Sequence, residues 1–168
     1  MRWVGTVAMV AGAWLLPFAP GSAGAAEKDV EKIPFCQYCG MDRARFASTR
    51  VLVEYGNGTT IGTCSIHCAA IDLAQSFGKE IRTILVADYQ SGKLVDAAKA
   101  TWVLGAGVPA VMAAKSRVAF AAKGDADAFR KTSGGDSADF DAALASTYCD
   151  MPSDTRSIRE WRARSGAH

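Results

Sequence analysis

The sequence has no excess of charge of either sign. Its 19 Lys and Arg stand against 17 Asp and Glu, a formal net charge of +2, too even to draw the chain to nucleic acid by electrostatics alone. It has no internal repeat, low-complexity tract or long linker, so nothing points to a solenoid or a disordered chain. It lacks the roughly 20 uninterrupted apolar residues of a membrane span, because its one apolar run, at the start, is broken by Pro17 and Pro20. Neither close cysteine pair is followed by histidine: Gly40 follows Cys39 and Ala69 follows Cys68, which excludes the usual c-type haem attachment. The rest is a 168-residue chain, 49% hydrophobic and 21% charged, with the composition of one globular core.

The first 26 residues have the form of an export leader: a basic start at Arg2, a short apolar run, and Ala23-Gly24-Ala25 as a small-residue cleavage site. The expectation is a soluble periplasmic protein with no stable membrane insertion after cleavage. No lipidation signal is expected, because the first cysteine, Cys36, follows Ile33-Pro34-Phe35 and not small residues. Without Arg2, 18 basic side chains face 17 acidic ones. Arg156, Arg159, Arg162 and Arg164 crowd the C-terminus and read as a solvated basic tail, with no nucleic-acid partner.

Four of the five cysteines lie in two short stretches, "FCQYCGMD" at 35–42 and "TCSIHCAA" at 63–70. Between them, Val51, Val53 and Tyr55 alternate and Gly56-Asn57-Gly58 turns the chain, which predicts a β-hairpin. From Ser65, a fair N-cap, apolar residues recur at Ile66, Ala69, Ala70, Leu73, Ala74 and Phe77, an amphipathic helix closed by Gly78. At 100° per residue Cys64 and Cys68 project off that stripe, one helical turn apart. The order of CxxC turn, hairpin and helix predicts an α+β fold with a treble-clef-like N-terminal lobe, Cys36 and Cys39 folded back against Cys64 and Cys68. Glu27–Lys32 reads as a polar linker. Downstream, "IRTILVADY" predicts a strand, "KLVDAAKATWVLG" a mixed segment, "VPAVMAA" and "RVAFAA" paired strands, and "DADAFRKTSGG" and "DFDAALASTYC" short helices. The expected organisation is a leader at 1–26, a cysteine-rich metal-binding lobe at 27–80, a second small α+β lobe at 81–150, and the basic tail at 151–168.

Thiols in an oxidising compartment become disulfides unless a metal or a reductant holds them. Four thiolates suit tetrahedral zinc, and two close pairs are a strong metal signature. A CxxC redox couple is the alternative, although this CxxC follows a polar segment and not a strand. Methionine favours a softer ion: Met41 directly follows CxxCG, with Met112 and Met151 further on, and thioether sulfur is a good donor to Cu(I) and a poor one to zinc. His67, between Cys64 and Cys68, could add a nitrogen donor. Cys149 with Met151 could form a peripheral soft-metal site or an intermolecular disulfide. Structural zinc, a redox couple and Cu(I) all stay open on the residues alone.

"CQYCGMD", "VDAAKATWVLG" and "VMAAKSRVAFAAKGDADAFRKTSGG" resemble the NosL family, exported copper-binding accessory proteins for assembly of the copper sites of nitrous oxide reductase. The resemblance runs from Cys36 to about Gly135. It implies a Cu(I) carrier with two ββαβ-like lobes that passes metal to a receiving protein or copper-site assembly machinery and is not an enzyme. By position, Cys39, Met41 and Met112 match the family's sulfur motifs, which makes them the leading ligand candidates, with Cys36, Cys64, Cys68 and His67 beside them. The chain departs from the family in lacking a lipid-anchoring cysteine and in "TCSIHC", which is similar to the CxxxC of TRASH and YHS modules. Those extra thiols could hold zinc beside a copper site, or copper, or another soft ion such as silver or mercury.

Overall fold

The computed structural model describes residues 24–166, so the expected leader lies almost wholly outside the described residues. Seven strands and four helices run in the order α1 (Gly24–Lys32), β1 (Val51–Tyr55), β2 (Thr60–Thr63), α2 (Ile66–Gln75), β3 (Ile81–Ala87), β4 (Leu94–Asp96), β5 (Thr101–Leu104), β6 (Arg117–Phe120), α3 (Lys123–Ser133), β7 (Asp136–Ala138) and α4 (Phe140–Ser165). The class is α+β, with two antiparallel sheets ordered β2-β1-β3-β4 and β6-β5-β7. Among the described residues no helix is long and apolar enough to cross a membrane.

The two sheets share one plan. Each opens with a hairpin, runs through a helix, and returns a third strand antiparallel to the hairpin's first, so β1-β2-α2-β3 repeats as β5-β6-α3-β7. This structural repeat has no counterpart in the sequence. The first sheet continues across residue 80 to Asp96.

Alternation decides what each sheet buries. Val51, Val53 and Tyr55 point to one face of β1 and join Ile66 and Ala69 of α2, with Trp102, Ala119 of β6 and Ala143 of α4, in a core spanning both lobes. Trp102 Nε1 donates to Ala97 O at 3.0 Å, so its one polar atom is satisfied in that core. The opposite face of the second sheet presents Val103, Val118 and Phe120 to Ala126 and Phe129 of α3. Asp88, 4% exposed, ties the lobes. Its carboxylate accepts from the Ser91 N–H and hydroxyl and from the Ala121 N–H. Burial opposes its charge, but these donors outweigh that and hold it below the usual carboxylate range.

Four expectations are corrected. Glu27–Lys32 is helical, not a linker. Residues of "VPAVMAA" form a loop, and β6 pairs with β5 instead; Pro109 has no ladder donor, and Met112 has a left-handed φ of 58° that a strand does not admit. Phe77 is 93% exposed because α2 ends at Gln75, where the Ser76 N–H closes on Asp72 O and Leu73 O before Gly78 is reached. The last helix continues through Pro152 into the expected basic tail; Asp154, buried on its inner face, accepts the Ala114 N–H at 2.9 Å and holds the turns beyond the proline.

Helix α1 is fastened by charge. Asp29 receives Arg43 Nη2 at 2.8 Å and Arg50 Nε at 3.0 Å, and both arginines are essentially fully buried. Burial pulls the Arg43 guanidinium pKa down, and Asp29 counters it. Removing one partner of a buried ion pair costs about 3 to 5 kcal/mol. Asp29→Ala is therefore expected to lower unfolding free energy by about that amount in chemical denaturation; a loss under about 1 kcal/mol, the level of a surface pair, contradicts this role.

Candidate metal centre

The CxxC turn is built by local backbone bonds. Cys36 N–H donates to Met41 O at 2.8 Å and Gly40 N–H to Cys36 O at 2.9 Å, with a bridge between Phe35 and Asp42 closing the loop. Gly40 has φ of 75°, which glycine adopts without the Cβ clash other residues meet. Gln37 fastens the turn to β2: its N–H donates to Gly62 O at 3.2 Å, and its Oε1 accepts the Gly62 N–H at 2.8 Å. Behind it, Cys64 lies at the end of β2 and Cys68 in the first turns of α2.

The four sulfurs of Cys36, Cys39, Cys64 and Cys68 all lie within 4.8 Å of one another. Cys39 Sγ is 3.5 Å from Cys64 Sγ, and Cys64 Sγ is 3.9 Å from Cys68 Sγ. All four are free thiols. A tetrahedral ion with metal–sulfur bonds of about 2.3 Å separates its sulfurs by about 3.8 Å, so this donor set fits a single ion with little movement. Met41, Met112, Tyr38, Phe46 and Val111 pack around the sulfurs and exclude water from most of the centre.

Crowding sets the protonation. The neighbouring thiols of Cys39, Cys64 and Cys68 pull the Cys36 pKa far down against burial. Cys64 and Cys68 are raised, chiefly by the neighbouring thiols of Cys36 and Cys39 and by burial as well. For Cys39 the bond to Cys36 raises the pKa, but those to Cys64 and Cys68 outweigh it and the net direction is down. Negative charge is thus favoured on the CxxC pair, and protons on Cys64 and Cys68. Binding a cation expels those protons, so affinity weakens as pH falls.

Two residues that sequence reasoning missed set the geometry. Asp72, 2% exposed, accepts the Tyr38 hydroxyl at 2.7 Å and the Tyr55 hydroxyl at 2.5 Å. Tyr38 lies between the two cysteines of the CxxC turn, so this bond pins that turn to the helix bearing Cys68. Burial first, and then Asp72, raises the pKa of both tyrosines, which keeps them as donors. Nothing in the sequence pairs residues 34 positions apart; the only sign is a tyrosine inside CxxC and an acid off the apolar stripe.

His67 is not brought to the sulfurs. One residue from Cys68, it is turned about 100° around the helix, and its buried Nδ1 lies 3.7 Å from Asp154 Oδ2 on α4, just beyond hydrogen-bond reach. Burial lowers its pKa despite that carboxylate. Cys149 is exposed on α4, outside the sulfur group, and Met151 lines a separate surface hollow with Tyr148 and Arg156. Met112 holds its left-handed backbone in the loop over the thiols, a conformation that costs about 1 to 2 kcal/mol and persists because the surrounding loop is fixed. On one side the centre opens into a groove of about 730 Å³, lined by Cys39, Met41 and Met112 and by Ile158, Trp161 and Arg162 of α4.

Two hairpin-helix-strand lobes with four thiols gathered where one helix begins define an α+β protein with a thiol-rich candidate metal centre. The NosL family model matches residues 27–147, and the chain belongs to the NosL family. The crystal structure of the copper chaperone NosL from Shewanella denitrificans is similar in fold, with a TM-score of 0.51 at 20% identity, covering 64% of this chain and 87% of that one. No curated protein matches the chain.

Tyr38→Phe removes the pin and leaves Asp72 bonded to Tyr55. It is expected to weaken metal binding on the order of tenfold while costing only about 1 kcal/mol of stability, read by chelator competition and denaturation together. Unchanged affinity would show that the turn is positioned without it.

Proposed function

We propose that this chain is an exported Cu(I) carrier, a periplasmic metallochaperone that delivers copper to a cuproenzyme such as nitrous oxide reductase and performs no reaction on a substrate. The observation that carries this reading is the convergence of four free thiols within 4.8 Å beside two methionines, with Cys39 only partly buried on the open side. Family membership and the copper chaperone of similar fold support it. The leader-like first 26 residues support export.

The mechanism follows from the donor set. Thiolates hold a soft monovalent ion tightly, and Cys36, Cys64 and Cys68 are buried while Cys39 faces the groove. A recipient's thiol enters from the groove and loses its proton as its sulfur bonds copper; the Cys39–copper bond then breaks and Cys39 takes up a proton, and the same exchange at Cys36, Cys64 and Cys68 with the recipient's further donors completes the transfer. Copper stays monovalent and no free ion is released. Met41 and Met112, packed against the thiols at the groove's edge, add thioether contacts to the ion in the loaded centre and keep them as the thiols exchange.

Structural zinc is the second reading, because four sulfurs at near-tetrahedral spacing, in a turn, hairpin and helix of treble-clef-like order, suit it equally. Metal analysis after native purification separates the two: one equivalent of zinc with no Cu(I) uptake under reducing conditions selects zinc. A reversible Cys36–Cys39 disulfide with no metal selects the redox couple.

The thioethers give the sharper test. Met41→Leu and Met112→Leu keep the volume and remove the donor. Each is expected to weaken Cu(I) binding in competition with a chelator by several-fold, about 1 kcal/mol, with zinc affinity unchanged. Unaltered Cu(I) affinity in both variants removes the methionines from the copper site.

A further inference from the structure

The C-terminal half of α4 lies beyond the segment that matches the family model, and it forms one side of the groove over the thiols. From Thr155 to Ser165 this helix carries Arg156, Arg159, Arg162 and Arg164 against the single acid Glu160. Arg162 lines the groove itself, Arg159 lies one helical turn before it, and Arg156 and Arg159 line a separate hollow on the same helix. Trp161 is 57% exposed and lines the groove with Ile158. An exposed aromatic rimmed by cations is the composition of a recognition surface, not of a solvated tail.

This wall is fixed in place. Asp154 is 2% exposed; one oxygen accepts the Ala114 N–H at 2.9 Å and the other lies 3.7 Å from His67 Nδ1. One carboxylate thus joins α4 to the loop bearing Met112 and lies beside the helix bearing Cys68. Tyr148 adds a bond from its hydroxyl to Ala70 O at 3.0 Å.

We propose that this groove docks an acidic segment of the metal-receiving protein, with an apolar side chain seated on Trp161 and Ile158 and carboxylates facing the arginines. Docked so, the segment's own sulfur donor lies over Cys39, Met41 and Met112. The consequence for metal transfer rests on the carrier reading above, but the docking does not, because its contacts are to Trp161, Ile158 and the arginines and not to the thiols. Charge complementarity selects the occupant: a second copy of this chain docked by the same face would set Arg159 and Arg162 against their own copies, and a lysine-rich segment would be repelled.

The test uses the full mature chain, in apo and copper-loaded forms, with two synthetic peptides as probes. One carries a leucine and two methionines flanked by glutamates; the other has lysines in place of the glutamates. The acidic peptide is expected to shift the Trp161 indole N–H resonance of the apo-protein. Its binding is expected to fall on the order of tenfold in about 1 M salt and in the double variant Arg159→Glu, Arg162→Glu, whose Cu(I) affinity stays unchanged. Copper transfer to the acidic peptide is expected to outpace transfer to the lysine peptide by a similar factor. Equal binding of both peptides, indifference to charge reversal, or a Trp161 shift produced only by self-association or by anionic phosphatidylglycerol vesicles would overturn the proposal. A chain that takes up no copper yet binds the acidic peptide in the apo form would sink the carrier reading and leave the docking surface standing.

Discussion

Crowding of four thiols into one partly buried space is the constraint on which the rest of the structure turns. Four thiolates this close repel one another in a medium of low effective dielectric, so without a cation among them the thiols cannot all ionise, and negative charge is favoured on Cys36. Such a cluster cannot hold itself together. The scaffold must impose it, and the neighbouring polar contacts of the first lobe read as parts of that imposition: Gln37 on the edge of β2, Thr49 donating to Cys64 O at 2.8 Å, and Tyr38 on Asp72.

The polar network extends outward from there. Asp29 neutralises Arg43 and Arg50, and Arg43 in turn donates to Thr63 O at 3.2 Å and Ile33 O at 2.6 Å, bracketing both cysteine stretches. Buried ion pairs add little net stability over apolar residues of the same size. Their use here is geometric: they fix the relation of two loops whose sulfurs would otherwise separate. The apolar core does the complementary work, with Trp102 and its neighbours joining the lobes so that α4 can lie against α2.

Much of the first lobe was legible in the sequence, because its signals are local. The alternation at 51–55 and the glycine turn specified the hairpin, and the apolar period from Ile66 specified α2. Cysteine spacing brought the two pairs into consideration as one group, and they do lie together. What was not legible depends on contacts distant along the chain. Asp72 and Tyr38 meet across 34 residues, and Asp154 reaches Ala114 across 40; neither leaves a periodic trace. The helix through Pro152 and the loop bearing Met112 were misread for the same reason, since each is held by the other and not by its own propensity. The repeated lobe plan is invisible because the cysteines of the first half have no equivalents in the second.

The central claim is that Cys36, Cys39, Cys64 and Cys68 hold one soft ion together. Thiol alkylation read by intact mass, with and without one equivalent of Cu(I), tests it most directly. The apo-protein should take up five labels, and the loaded protein one, at Cys149. Loading that protects two cysteines or fewer, or protects none, would contradict a single four-thiol centre.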